Sequence, residues 1–176
     1  MRILGIDPGT NILGFAIIET EHNTLQLIDN DIIDLRKIKD PLQKLNHIFN
    51  SLDQIILNFS PDETAVESPF FGKNPQSMLK LGRAQGVAIV ASLHHNVPVF
   101  EYAPTKIKIS ITGYGSASKE QVAKTLESIF KKKLTIKYLD QTDAIAVAVC
   151  HFFNKSKINN QTFSSWKDYA KKHNLL

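Results

Sequence analysis

The chain reads as a mixed α/β domain, and three observations predict it. The first 34 residues hold three apolar segments joined by very short connections. From Pro41 onward, stretches with helical periodicity alternate with short apolar runs. The 176 residues contain no internal repeat and no linker-like stretch, so one core with a short polar tail accounts for the whole length.

The elements follow in order. Ile3 to Asp7 and Gly14 to Glu19 are strands, with Pro8-Gly9 as the breaker between them. Thr24 to Asp34 alternates apolar and polar residues and forms a third strand. Connections this short make the three antiparallel. Pro41 to Phe59 sets Leu42, Leu45, Ile48, Phe49, Leu52, Ile55 and Ile56 on a helical stripe, and Pro41 suits its first turn. Glu63 to Glu67 is a short strand, expected to return in parallel beside the first. Pro75 to His95 is a long helix and Val97 to Glu101 a fifth strand. Lys106 to Ile111 and Lys119 to Phe130 are helices around the loop TGYGSAS, and Asp140 to Phe153 is the last strong helix. We divide the chain into a domain over residues 1–154 and a tail over 155–176. In the tail Phe163, Trp166 and Ala170 fall at the spacing of a short docked helix, although a disordered basic tail fits the same composition.

Composition narrows the classes. The chain is 43% hydrophobic and 22% charged, as a soluble domain is. Its apolar runs are too short to span a bilayer, which needs roughly 20 residues, and Met1 leads straight into a strand, so no signal peptide is expected. The one cysteine, Cys150, lies in AIAVAVC and reads as a buried small hydrophobe in a reducing, cytoplasmic setting. The histidines, among them His94, His95 and His151, show no ligand spacing and read as structural. The net charge of +4 is unevenly spread. Residues 1–103 carry eight Lys/Arg against twelve Asp/Glu, a net of −4, whereas residues 104–176 carry thirteen against five, a net of +8. The basic half suits a polyanionic partner, though a solvated lysine-rich face would read the same way.

Four acids stand at element ends. Asp7 closes the first strand, Glu67 closes the fourth, and Asp140 and Asp143 open the last helix. Parallel pairing of strands one and four would bring Asp7 and Glu67 to one sheet edge, where open α/β sheets bind ligands. Three-residue spacing lets Asp140 and Asp143 share a helix face. Each acid also has an ordinary reading: Asp7 as a turn initiator before Pro-Gly, Glu67 as a solvated strand end, and Asp140 with Asp143 as a charged helix start. Together they point to an oxygen-only site for Mg²⁺ or Mn²⁺, since packed carboxylates repel one another unless cations neutralise them. Two such ions suit phosphodiester hydrolysis.

The segments GIDPGT, AVES followed by FFGKN, LKLGRAQGVA, VFEYAPTKIK, ITGYGSASKEQV and DQTDAIAVA resemble the RuvC family of bacterial Holliday junction resolvases, from Ile3 to about His151. The resemblance implies an RNase H-like fold with a mixed five-stranded sheet. It implies a homodimeric endonuclease that uses two Mg²⁺ ions per site, with Mn²⁺ able to substitute. Such an enzyme cuts two opposed strands of a four-way DNA junction symmetrically and leaves 5′-phosphates, in recombination and repair. The family's acidic tetrad falls on Asp7, Glu67, Asp140 and Asp143, and members carry either Asp or His where Asp140 stands. The resemblance places a base-stacking aromatic on Phe70 rather than Phe71, with Lys73 beside it, and DNA-contacting lysines at Lys106, Lys108 and Lys119. Family members often have glutamine where this chain has Ile109. The branch-migration complex RuvA–RuvB is the implied protein partner.

The helix Pro75 to His95 fits the dimer. Met78, Leu79, Leu81, Val87, Ile89, Val90 and Leu93 spread wider than one stripe, and Gly82 and Gly86 permit a close neighbour. A central helix covered by its own chain gives the same pattern. Two other functions share features of this sequence. An actin-like kinase or ATPase opens with a similar strand–turn–strand but needs two such domains, which 176 residues cannot supply. A non-catalytic junction-binding or RNA-processing scaffold of the same fold should have lost an acid, and this chain keeps all four.

Overall fold

The computed structural model describes residues 1–21, 24–69, 74–158, 167 and 170–171. Five strands form one sheet: β1 (Arg2–Asp7), β2 (Ile12–Glu21), β3 (Thr24–Asp34), β4 (Glu63–Glu67) and β5 (Val99–Tyr102). Their order is β3-β2-β1-β4-β5. β1 pairs antiparallel with β2 and parallel with β4, and β4 pairs parallel with β5. This is the antiparallel-then-parallel arrangement that the short N-terminal connections and the later crossovers predict. Among the described residues, no helix is long and apolar enough to cross a membrane.

Period-two alternation sorts the strand residues between two layers. Leu4 and Ile6 of β1 and Leu13, Phe15 and Ile17 of β2 point toward α1 (Pro41–Phe59) and α2 (Pro75–His94). Ile3, Ala16, Ile18 and Ala65 point the other way, onto α3 (Pro104–Thr112), α4 (Lys119–Phe130) and α5 (Leu139–Ile158). Asp40 caps α1 by accepting from the Leu42 amide, with Pro41 next. Ser118 and Gln121 cap α4 reciprocally, a capping box that fixes where Lys119 begins.

α5 lies against the sheet on small residues. A Cβ on Gly5 would collide with the Ala144 carbonyl oxygen, and one on Gly14 with the Asp140 carbonyl oxygen. Both glycines face α5, so their missing side chains set its height above β1 and β2. At its other end, buried His151 bridges the Tyr102 hydroxyl and the Glu63 carboxylate, each at 2.7 Å, and Lys155 also bonds Glu63. Burial pushes the His151 pKa below its ordinary value, against the pull of Glu63. The expectation that His151 is structural agrees with this placement.

Several boundaries differ from the sequence reading; β2, for one, runs from Ile12 to Glu21 rather than from Gly14 to Glu19. α3 starts at Pro104 rather than Lys106, because proline is well placed at a first helical position. β5 starts at Val99 rather than Val97, whose amide is used to close the end of α2 on the Ser92 carbonyl. α5 continues past Phe153 to Ile158, across the expected boundary at 154, and Asn154 bonds back to the Cys150 carbonyl. In the tail, Ala170 is buried, while Phe163 and Trp166 lie outside the described residues.

Candidate active site

Asp7 ends β1 on the face that carries Gly5, toward α5. The parallel register pairs Ile6 with Val66, and one step further it sets Asp7 beside Glu67 at the carboxyl edge of the sheet. Glu67 shares its face with Ala65, again toward α5. α5 runs back along the sheet with its N-terminus at this same edge, so Asp140 and Asp143 arrive above the strand ends. Asp140 sits in the first turn of α5, which begins one residue earlier at Leu139. This start is built by Gln141, whose side-chain oxygen accepts from the Lys137 and Tyr138 amides. Its amide nitrogen donates to the Asn30 side chain at 3.0 Å, which ties the start of α5 to β3. Arg36, forked onto Asp34, lies over the Tyr138 ring at 5.6 Å and braces the same approach.

The electrostatics record the convergence. Burial, then the charges of Glu67, Asp143 and Asp140, push Asp7 up to about 8. Burial, then Asp143, push Glu67 up to about 7, while Lys119 and Lys108 pull it down. Lys119, at the start of α4, donates to the Asp143 carboxylate. Burial opposes its charge, but the bond to Asp143, with Asp7 and Asp140 nearby, holds its pKa above the ordinary lysine value. The cluster is thus an oxygen-only set held against its own repulsion, which Lys119 and, at Glu67, Lys108 offset only in part. Those donors fit a hard divalent cation.

The other expected DNA contacts divide. Lys108 and Lys119 reach the field of the acids. Lys106 is exposed on α3, two residues before Lys108 and so on a different helix face. Ile109 and Tyr114 are exposed beside the same loop, 48% and 73%. Phe70 and Lys73 lie outside the described residues.

The family model described as crossover junction endodeoxyribonuclease RuvC matches residues 3–151. The chain belongs to the RuvC family. The RuvC of Christiangramia forsetii is 50% identical over 172 residues, covering 97% of this chain and 90% of its own length. That of Bacteroides fragilis is 48% identical over 174 residues, covering 97% and 93%. Thermus thermophilus RuvC, solved in complex with a Holliday junction substrate, superposes with a TM-score of 0.83 at 28% identity, covering 89% of this chain and 96% of its own. The fold is the RNase H-like one that the resemblance implies.

One cluster in this RuvC-family chain escaped the sequence reading. Asp53 of α1 meets His94 and His95 at the end of α2, with one ligand-type atom from each within 4.8 Å of the others. Asp53 and His95 share a hydrogen bond of 2.7 Å. No spacing rule links a residue on one helix to a pair forty residues later, so these histidines looked merely structural. They sit toward the C-terminal ends of α1 and α2, away from the β1–β2 turn beside the four acids.

Proposed function

We propose that this chain is a divalent-metal-dependent endonuclease that resolves four-way DNA junctions by phosphodiester hydrolysis. One observation carries the reading. Carboxylates from β1, β4 and α5 meet at one sheet edge, where burial and then their mutual repulsion raise Asp7 to about 8 and Glu67 to about 7. Asp7, Glu67, Asp140 and Asp143 would hold two Mg²⁺ ions, or Mn²⁺ in their place. Bound there, the ions would supply an activated water and charge stabilisation for the departing 3′-oxygen. The chain's own part is rigidity: Asp7 and Glu67 stand on hydrogen-bonded strand ends and Asp140 and Asp143 on a packed helix. Lys119 can exchange its bond to Asp143 for a phosphate oxygen. No covalent enzyme intermediate is needed, and the products are ligatable nicks with 5′-phosphates. The enzyme works in the cytoplasm, with RuvA–RuvB as the partner suggested by family resemblance.

The test is direct. In Mg²⁺ the protein should place paired nicks in a synthetic four-way junction and leave linear duplex of the same sequence uncut. Equal cutting of both refutes junction selectivity. An uncut junction in both Mg²⁺ and Mn²⁺ refutes the nuclease reading.

Paired nicks need two matching sites, which a two-fold dimer provides. The outer face of α2 suits the contact: Leu79, Val90 and Leu93 are 66%, 56% and 54% exposed, and space is open over Gly82 and Gly86. Val87 and Ile89 pack partly into the apolar layer, so Val90 is the cleaner probe. Val90→Glu should convert a micromolar dimer to monomer in sedimentation and reduce paired nicking. A variant that stays dimeric places the interface elsewhere.

Phe70 is proposed to stack on a base unpaired at the junction centre. Base–aromatic stacking is worth about 1–3 kcal/mol, roughly a five- to 150-fold effect. Phe70→Ala should therefore slow single-turnover cleavage of an intact junction within that range. A junction with unpaired bases beside the cut should recover most of the loss. Equal deficits on both substrates would remove the stacking role.

A further inference from the structure

We infer that a cleft between α1 and α2, on the other side of the β1–β2 turn from the acids, is a second DNA-backbone site that grips the strand as it leaves the scissile phosphate. The inference rests on the junction-nuclease reading above. The cleft encloses about 320 Å³ and opens beside Thr10 and Asn11, three and four residues past Asp7. Its charge is the first argument. Residues 1–103 carry only eight Lys/Arg and a net of −4. Four of those eight, Lys39, Lys44, Lys80 and Arg83, line this one cleft, and no Asp or Glu lines it. In an acidic half, such segregation is not what a uniformly solvated surface gives.

The second argument is how those cations are deployed. Lys44 is used in the fold: its ammonium donates to the Thr10 carbonyl at 2.8 Å and the Asn11 side chain at 2.9 Å. It thereby fixes the cleft wall that is continuous with the strand bearing Asp7. Lys39, Lys80 and Arg83 are exposed, and none of them forms a salt bridge among the described residues. Lys80 and Arg83 are three residues apart on α2, and Lys39 approaches from the α1 side; Arg83 also lines a groove with Gly86 and Val90, so the cleft runs along the edge of the face proposed for the dimer contact. Ser77 and Thr10 add neutral hydroxyl donors at the rim. Cations mixed with hydroxyl and amide donors are the chemistry of phosphate and sugar contacts, which position a nucleic acid without reading its sequence. Apolar Leu45 and Ile48 form the floor, suited to a deoxyribose.

The position gives the site its use. Asp7 faces α5 while the cleft faces α1 and α2, so the turn at residues 8–11 is a ridge with the acids on one flank and the cations on the other. A strand crossing that ridge would present one phosphate to the acids and its neighbours to Lys39, Lys80 and Arg83. The cations would offset the repulsion that the acids exert on the backbone. Net charge hides this site from composition, because its residues belong to the acidic half.

The test measures binding of the full-length protein to a fluorescent four-way junction in EDTA, from about 50 to 300 mM salt. The variants are Lys39→Gln, Lys80→Gln, Arg83→Gln and the triple. Lys133→Gln, on the α4 side of the sheet, is the control matched in charge to each single variant. Each lost phosphate contact should lower the salt slope by about 0.9. The triple variant should lose roughly two to three units of slope and bind at least about tenfold more weakly near 0.1 M salt. Its melting temperature, its sedimentation and the Lys133→Gln slope should stay near wild type. A triple variant that is folded and keeps the wild-type slope overturns the proposal. So does a cleft that takes up inorganic phosphate in calorimetry while the DNA slope is unchanged. If the wild-type protein itself fails to bind the junction, the junction-nuclease reading has failed instead.

Discussion

Asp7→Asn should abolish junction cleavage and at the same time make the metal-free protein more stable. The first effect comes from removing the central carboxylate of the proposed ion site. Metal-assisted charge stabilisation is worth several kcal/mol, so a loss of at least about 100-fold in single-turnover rate is expected. Junction binding should be unchanged or tighter, since one negative charge near the backbone is gone. The second effect follows from the raised pKa. Asp7 has an ordinary value of 3.8 and is pushed up to about 8 in the fold, first by burial and then by Glu67, Asp143 and Asp140. The folded state therefore holds this proton more tightly than the unfolded chain does. Stability without metal falls as pH rises from about 4 through about 8. Glu67, raised to about 7, adds to the decline over its lower part. Asparagine keeps the shape and drops the charge. At pH 8 in EDTA, Asp7→Asn should gain at least about 1 kcal/mol, or about 2–4 °C in melting temperature for a chain of this size. The gain should shrink toward pH 4, where wild-type Asp7 is protonated, and shrink again when Mg²⁺ is added. Equal melting temperatures at pH 8 in EDTA would show that Asp7 is neither desolvated nor crowded by the other acids.

Gly14→Ala should cost nearly as much activity without touching a carboxylate. Gly14 faces α5, and a methyl group there meets the Asp140 carbonyl oxygen and lies 3.2 Å from the Asp140 Cβ. Backbone opposes backbone, so the contact can be relieved only by lifting the N-terminus of α5 from β2. Gln141 holds that N-terminus to Asn30, and Arg36 braces Tyr138, so the lift strains both. Misplacing a reacting group by about 1 Å can cost on the order of 100-fold. Overpacking costs about 1–3 kcal/mol of stability. The measurement that separates the two is cleavage at a temperature where circular dichroism shows the variant folded. A folded Gly14→Ala that cuts at the wild-type rate would mean that the height of α5 does not matter to the acids.

Most of this was legible in the sequence for identifiable reasons. Strong periodicity with clear caps fixed β3, α1, β4 and α4 to the residue, as at Pro41 and at the Ser118–Gln121 capping box. Weak signals missed by one to five residues: β5 has only four residues, and α5 goes on through the polar stretch after Phe153. The four acids could be singled out because each closes or opens an element, and element ends on one side of an α/β sheet meet. The cleft cations and the Asp53–His94–His95 cluster could not be found this way. Their members sit within helices or in a loop, far apart in the chain, and they meet only through the packing of α1 on α2. Gly14 was readable only as strand; its contact with α5 depends on a helix more than 120 residues later.

The central claim is that Asp7, Glu67, Asp140 and Asp143 hold divalent cations together. Anomalous diffraction from a crystal grown or soaked in Mn²⁺ tests it most directly. The account predicts manganese peaks within coordination distance of Asp7 and of at least one helix acid, absent in Asp7→Asn. Saturating Mn²⁺ with no peak at these acids, or with peaks only at Asp53, His94 and His95, would contradict it.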